Sequence, residues 1–392
     1  EKNKLLISRK LDKHLIYLDY AASTPLLPSA LKAFEKALAE DYANPASAHK
    51  LGKKINKKVE QCRKRFLHEV QGERDFDFYF TSSATESNNW VIQGCARDGA
   101  MWVGYSPADH PSVTVPCKKL FDQNVLFSHL ETGLLDISSL ELYLENPQRG
   151  LVVISHLNNH SGVITDVAEV ARKIKKWSSK IHIHVDGAQS FLKVPLDLSK
   201  TPIDSYTISA HKMGGPKGAG GLFLRKSLSL EPLLLGGGQE HGKRSSTVNA
   251  PAILSWTAAL NEISDHREET SDQQVSIQNK LLSGLRELPD VEILFDVPSC
   301  SHIIALLTKG LSSDIVMRHL EMKEIYLSSS SACSSRSKGE SPVLAALNVP
   351  ASRHKEYLRL SFGCNTNESQ VVDFLKAFKD VLTDLQKIKG RH

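Results

Sequence analysis

The chain has 392 residues, 41% hydrophobic and 24% charged, an ordinary globular composition with length for roughly two domains and a sizeable core. Its net charge of +5 is diluted, the lysines Lys50, Lys53, Lys54, Lys57 and Lys58 fall on the solvated face of a helix without interleaved aromatics, and no apolar run reaches membrane-spanning length. Nucleic-acid and membrane partners are therefore not expected.

In chain order, short apolar runs at 76–81, 101–105, 125–128, 151–156, 181–186, 206–209 and 221–224 predict strands. Helices are expected between several of them, at 86–96, 140–144 and 167–177. That alternation predicts an α/β fold with a mainly parallel sheet covered by helices on both faces. In such a sheet ligands sit beyond the carboxyl ends of the strands, where Asp186 and Ser209 lie. A long helical region from 251 to about 288 then leads into strands at 291–295, 302–307 and 357–362, with helices near 313–322 and 367–387. Asn367 and Gln370 have the spacing of a capping box. This part reads as a smaller α+β domain, and the division expected is a large domain over 17–260 and a small one formed by 1–16 with 261–392.

The run Ser209-Ala210-His211-Lys212, followed by the glycine-rich stretch 213–221, places one lysine after a strand end. Upstream, Asp186 closes an apolar strand and is followed by Gln189. An aspartate to hold a pyridinium and a lysine to form a Schiff base are the groups that pyridoxal phosphate requires. Ser82-Ser83-Ala84-Thr85-Glu86, between a strand and a helix, would point backbone N–H groups and hydroxyls at an anion, although the same residues also make a plain N-cap. The glycine-rich stretch lacks phosphate-loop spacing and reads as the return into the next strand. His110 and the pair Asn158-Asn159 follow strands and can reach a cofactor or serve as turn residues.

The six cysteines show no C-x-x-C pairing and no zinc-like cluster, so neither a metal nor a disulfide framework is expected. They point to a reducing compartment, with cytoplasm as the default. Cys333 stands apart, in a serine-rich patch with Arg336 and Lys338 nearby, where an exposed thiol would be favoured as thiolate, or where the cysteine is incidental.

The order Tyr17 to Pro25, Asn44 to Ser47, Thr81 to Asn88, Asp109-His110, His156 to Asn159, Asp186 to Gln189, Ser209 to Lys212, Arg244 to Thr247 and Ser330 to Cys333 resembles the NifS/IscS-type cysteine desulfurases. These are class V, fold-type I pyridoxal-phosphate enzymes. The resemblance implies that Lys212 carries the cofactor's Schiff base, Asp186 pairs with the pyridine nitrogen and Gln189 bonds the phenolic oxygen. His110 would stack on the ring and move protons, while Ala84, Thr85, Ser209 and His211 would hold the phosphate. Thr247 would reach the phosphate of a neighbouring subunit, which implies a homodimer. Asn159, also beside the cofactor, and Arg359 would grip the carboxylate of L-cysteine. Cys333, on a long IscS-like loop at about 328–341, would take the sulfur as a persulfide and leave L-alanine. An iron–sulfur scaffold or tRNA-thiolation protein would then be the acceptor.

Three departures from the family pattern stand out. Asn-Asn-Glu-x-Gly becomes Asn158-Asn159-His160-Ser161-Gly162, Arg-Ser-Gly-Thr becomes Arg244-Ser245-Ser246-Thr247, and Ser-Gly-Ala-Thr-Glu becomes Ser82-Ser83-Ala84-Thr85-Glu86. The two lost glycines are expected to remove backbone freedom near the phosphate. The same fold and cofactor also support a selenocysteine lyase or a transaminase, and the departures suggest a weakened paralogue acting as a scaffold.

Overall fold

The computed structural model describes residues 15–141, 148–295, 302–329 and 340–389. The described chain opens with β1 (Ile16–Tyr17), α1 (Pro28–Glu40) and α2 (Lys50–Glu69). It continues with β2 (Phe76–Thr81), α3 (Ala84–Arg97), β3 (Trp102–Tyr105), α4 (Pro111–Leu120) and β4 (Gln123–Leu126). A short hairpin, β5 (Ser128–His129) and β6 (Leu135–Asp136), precedes β7 (Gly150–Ser155), β8 (Ile181–Asp186), β9 (Ser205–Ser209) and β10 (Gly220–Arg225). The later strands are β11 (Val291–Ile293), β12 (Ile303–Thr308), β13 (Ile325–Tyr326), β14 (Ser328–Ser329) and β15 (Tyr357–Ser361).

The larger sheet has seven strands in the order β2-β10-β9-β8-β7-β3-β4. Its pairs are parallel except that β10 runs antiparallel between β2 and β9. Side chains alternate between the two faces, so each buried strand feeds two cores. Phe76, Phe78, Phe80, Val152, Ile154, Ile181, Ile183 and Val185 pack with Phe66 of α2 and Trp256 on one face. Tyr79, Leu151, Val153, Leu222 and Leu224 pack with Trp90 and Val91 of α3 and Val113 of α4 on the other. The lysine-rich α2 buries Ile55, Val59, Cys62 and Phe66 at helical spacing, which leaves its lysines in solvent.

The second sheet is antiparallel, in the order β11-β12-β15-β14, and has its own core around Leu306, Leu358, Leu360, Phe374 and Phe378. β1 pairs with β13, so the start of the described chain is tied to this end of the sequence. Where one helical region over 251–288 is expected, the chain forms two helices, Ala250–Asp265 and Arg267–Arg286. They part at His266, whose φ of −114° and ψ of 23° leave the helical region. The first helix packs into the larger core through Trp256 and Leu260, the second into the smaller one through Leu281 and Leu285.

Other differences are local. The strand expected at 125–128 is β4, two residues earlier, because this edge strand is half exposed and carries little alternation. The helix expected at 140–144 is a single 3-10 turn over Ser138–Leu140 where described, and 142–147 lie outside the described residues. α1 and α4 carry no expectation, although both begin at proline, which suits a first helical turn. Among the described residues no helix is long and apolar enough to cross a membrane.

Candidate active site

β8 and β9 are parallel neighbours, so their carboxyl ends bring Asp186 and the Ser209–Lys212 turn side by side. The buried Asp186 accepts from the Ala188 N–H at 3.0 Å through Oδ1 and from Asn88 Nδ2 at 2.8 Å through Oδ2. Lys212 lies in a 3-10 turn, and its Nζ donates to the carbonyls of Ala21 at 2.5 Å and Ala22 at 2.9 Å. Gln189 Nε2 donates to the same Ala21 carbonyl at 2.7 Å, so one acceptor gathers the lysine amine and the glutamine amide. The glutamine's Oε1 is buried with no partner among the described residues.

Beyond β2, Ser83 caps α3 by accepting from the Glu86 N–H at 3.2 Å, and Glu86 accepts from the Ser82 N–H at 2.8 Å. Ala84 and Thr85 follow as the first helical residues, where backbone N–H groups lack intrahelical acceptors. Gly220 of β10 comes so close that a Cβ there would stand 2.5 Å from the Ser83 carbonyl carbon and 2.9 Å from the Ala84 nitrogen. This glycine is more than a flexible return. It lets β10 pass beneath the anion-ready turn. His211 is pushed down to about 4 by burial, with Lys212, Lys217 and Lys193 adding positive surroundings. Arg244 clasps Glu86 at 2.7 and 3.0 Å, while Thr247, three residues on, is exposed and not gathered with these groups.

A third group converges from the smaller sheet. Arg359 on β15 donates to the Asn159 carbonyl at 3.0 Å and to Asp19 Oδ1 at 2.8 Å, and its buried Nε has no partner among the described residues. Asn158 Oδ1 accepts from the N–H groups of His160 and Ser161, both at 2.9 Å, while its Nδ2 reaches the Ala108 carbonyl. Tyr357 donates to the His160 carbonyl at 2.8 Å. His160 itself is buried and pushed down to about 3, first by burial and then by Arg359 and His110. His110 is lowered from the ordinary histidine value by partial burial, against the attraction of Asp186. The adjacent Asp109, wholly buried, is pushed up to about 8.

The expected site residues Lys212, Asp186, Gln189, Ser209, His211, Ala84, Thr85, His110 and Asn159 thus lie at or beyond the carboxyl ends of the strands, and Arg359 reaches Asn159 from β15 of the smaller sheet. Cys333 lies outside the described residues. Sequence reasoning gave no role to Asn88, Ser112, Asp19 or the Ala21 carbonyl. The position of Asn88 inside the Thr81–Asn88 motif was the available signal. The arrangement fits pyridoxal phosphate, with a helix N-terminus for the phosphate, a carboxylate for the pyridine nitrogen and a lysine amine. Gln189 Oε1 and Arg359 Nε keep unused bonding capacity there.

The aminotransferase class-V family model matches residues 16–374. The chain is 30% identical over 383 residues to the NifS/IcsS protein homolog of Lactobacillus delbrueckii subsp. bulgaricus, covering 95% of this chain and 99% of that one. It is 33% identical over 389 residues to the mitochondrial cysteine desulfurase of Arthroderma benhamiae, covering 95% of this chain and 75% of that one. Among solved structures, the NifS-like protein from Rickettsia africae superposes with a TM-score of 0.85 at 27% identity, covering 94% of this chain and 99% of that one.

Proposed function

The chain belongs to the class-V aminotransferase family, and from that membership we propose that it is a pyridoxal-phosphate-dependent cysteine desulfurase. The observation that carries the reading is the convergence of Lys212, Asp186 and Gln189 at adjoining strand ends, with Arg359 brought in from the second sheet. Pyridoxal phosphate, when bound, supplies an electron sink that weakens bonds at the substrate's α-carbon. Asp186 keeps the pyridine nitrogen protonated through its negative charge. Lys212 Nζ supplies the tether and then a base that holds the α-proton. The helix start at Ala84 and Thr85, with Ser209 and His211, holds the phosphate. Arg359 orients the substrate carboxylate with its planar guanidinium beside Asn159.

Cys333 is the proposed sulfur acceptor. It follows Ser329 of β14 by four residues, a tether of at most about 14 Å, and β14 pairs with the strand of Arg359. Its thiolate attacks the substrate sulfur, an S–S bond forms as the carbon–sulfur bond breaks, and alanine leaves after protonation. The persulfide passes to an iron–sulfur scaffold or a tRNA-thiolation protein. The exposed Thr247 suits contact with a second copy, in a homodimer. The buried free thiols of Cys62, Cys95 and Cys117 suit a reducing compartment such as the cytoplasm.

The test is incubation of the cofactor-loaded protein with L-cysteine and a dithiol. Alanine and sulfide are expected in equal amounts, and Cys333→Ala should abolish sulfide. A loaded protein that forms no alanine would sink the reading.

A further inference from the structure

His182, His184 and Asp186 share one face of β8, since side chains two residues apart on a strand point the same way. The opposite face of this strand, Ile181, Ile183 and Val185, is apolar core. The polar face feeds one hydrogen-bond chain that is buried at its centre and reaches an exposed ring at His110. His182 Nε2 lies 2.8 Å from Ser205 Oγ, and Ser205 Oγ lies 2.8 Å from His184 Nδ1. His184 Nε2 lies 3.0 Å from Asn88 Oδ1, with Thr207 Oγ1 at 3.4 Å from the same nitrogen. Asn88 Nδ2 then reaches Asp186 Oδ2 at 2.8 Å and Ser112 Oγ at 2.9 Å. The last link joins Ser112 Oγ to His110 Nδ1 at 2.8 Å, and the Ser112 N–H donates to the same nitrogen at 3.1 Å.

The direction of every proton follows from one charge. A carboxylate only accepts, so the Asn88 group facing Asp186 is its NH2, and the amide's second hydrogen goes to Ser112. Asn88 Oδ1 therefore faces His184 and needs an N–H, which puts the His184 proton on Nε2 and leaves Nδ1 bare. Ser205 gives its hydrogen to that bare nitrogen and takes one from His182 Nε2. Along the other branch, Ser112 receives from Asn88 and spends its own hydrogen on His110 Nδ1. Two donors then point at His110 Nδ1, so the neutral ring carries its proton on Nε2. Burial agrees, holding His184 neutral with its value pushed down to about 3.

We propose that Asn88, Ser112 and His184 are positioning residues that lock His110 as its Nε2–H tautomer, so that His110 faces the site as a hydrogen-bond donor through Nε2 and not as a base at that nitrogen. The inference deepens the desulfurase reading, because it says which nitrogen of His110 presents a hydrogen to the site. It is tested on cofactor-free protein, so its failure is separable from failure of the activity.

Long-range proton–nitrogen NMR of protein labelled with nitrogen-15 in its histidines distinguishes bare from protonated ring nitrogens, with His110→Gln used for assignment. The expected spectrum shows His110 and His184 each with a bare Nδ1 and a protonated Nε2. A proton on His110 Nδ1, or an average of both tautomers, overturns the proposal without recourse to any variant. Ser112→Ala, which removes the hydroxyl donor and leaves only the backbone N–H on Nδ1, should shift His110 part of the way toward its Nδ1–H tautomer. An unchanged His110 pattern in that variant removes the hydroxyl from the lock. His184→Gln, which keeps an N–H for Asn88, should preserve the His110 pattern, and His184→Leu should lose it; equal patterns in both overturn the role of His184.

Discussion

Ser83 and Ser246 both stand where the family pattern has glycine, and the backbone separates them. Ser83 has φ −173°, extended backbone open to any residue, and its hydroxyl caps α3. The expected loss of freedom at this position does not arise. Ser246 has φ 134°, in the region that favours glycine, one residue before Thr247. The loop around it is pinned by Arg63 and Glu240, a buried pair at 2.8 and 3.0 Å, so the strained residue cannot relax by drifting. Opposite effects are expected from the two positions in equilibrium denaturation. Ser246→Gly should stabilise by about 1 kcal/mol through relief of strain, and Ser83→Ala should destabilise by about 1 kcal/mol through loss of the cap. A Ser246→Gly variant with a lower midpoint than the parent would refute the strain argument.

At the level of elements, β10 decides the shape of the turn that starts α3. As an antiparallel strand between β2 and β9, it must pass under the turn that starts α3, and Gly220 is the residue at the crossing. Gly220→Ala should push that turn outward at a cost of about 1–3 kcal/mol, roughly ten- to a hundred-fold in cofactor affinity. Titration of the cofactor-free protein with pyridoxal phosphate, followed by absorbance, checks this, and an unchanged affinity would contradict it. β2, β8 and the helix Val167–Trp177 were legible to the residue, because each is an apolar or periodic run bounded by polar turns. The capping box was legible too, with Asn367 and Gln370 exchanging bonds at 3.1 and 3.0 Å. The break at His266 was not, since no proline or glycine marks it and the two helices part to serve different cores. Nor did composition single out Gly220 among neighbouring glycines, because its role depends on a turn more than a hundred residues earlier.

For the whole molecule, the buried histidines set the response to acid. His156 and His182 are pushed down to about 4, and His160 and His184 to about 3, in each case first by burial. Their folded values lie below the ordinary 6.5, so the unfolded chain binds more protons as pH falls. Stability from these groups is full above 6.5 and is lost progressively toward 3. Asp109 works the other way, since a value raised to about 8 favours the folded state at low pH and withdraws that support as pH rises toward 8. Four histidines outweigh one aspartate, and the denaturation midpoint should fall steadily from pH 6.5 to pH 4; a flat midpoint over that window would show these rings to be solvated. The residues at the strand ends were readable as motifs, whereas the Asn88–Ser112 connection was not. It joins side chains from separate helices to strands far along the chain, and only the fold brings them within bonding distance.

The stretch from Asp19 to Thr24 links the two sheets beside Lys212. Asp19 holds Arg359, Ala21 donates to Ser361 Oγ at 2.8 Å, and Thr24 bonds back to the His211 carbonyl. Between these anchors, Ala21 and Ala22 hold the amine of Lys212. The Asp19 carboxylate that holds the guanidinium therefore stands only two residues from the peptide units that restrain the lysine. The contacts of Arg359 and of the Lys212 amine thus meet on one short run of backbone, so a change at either is expected to reach the other through it.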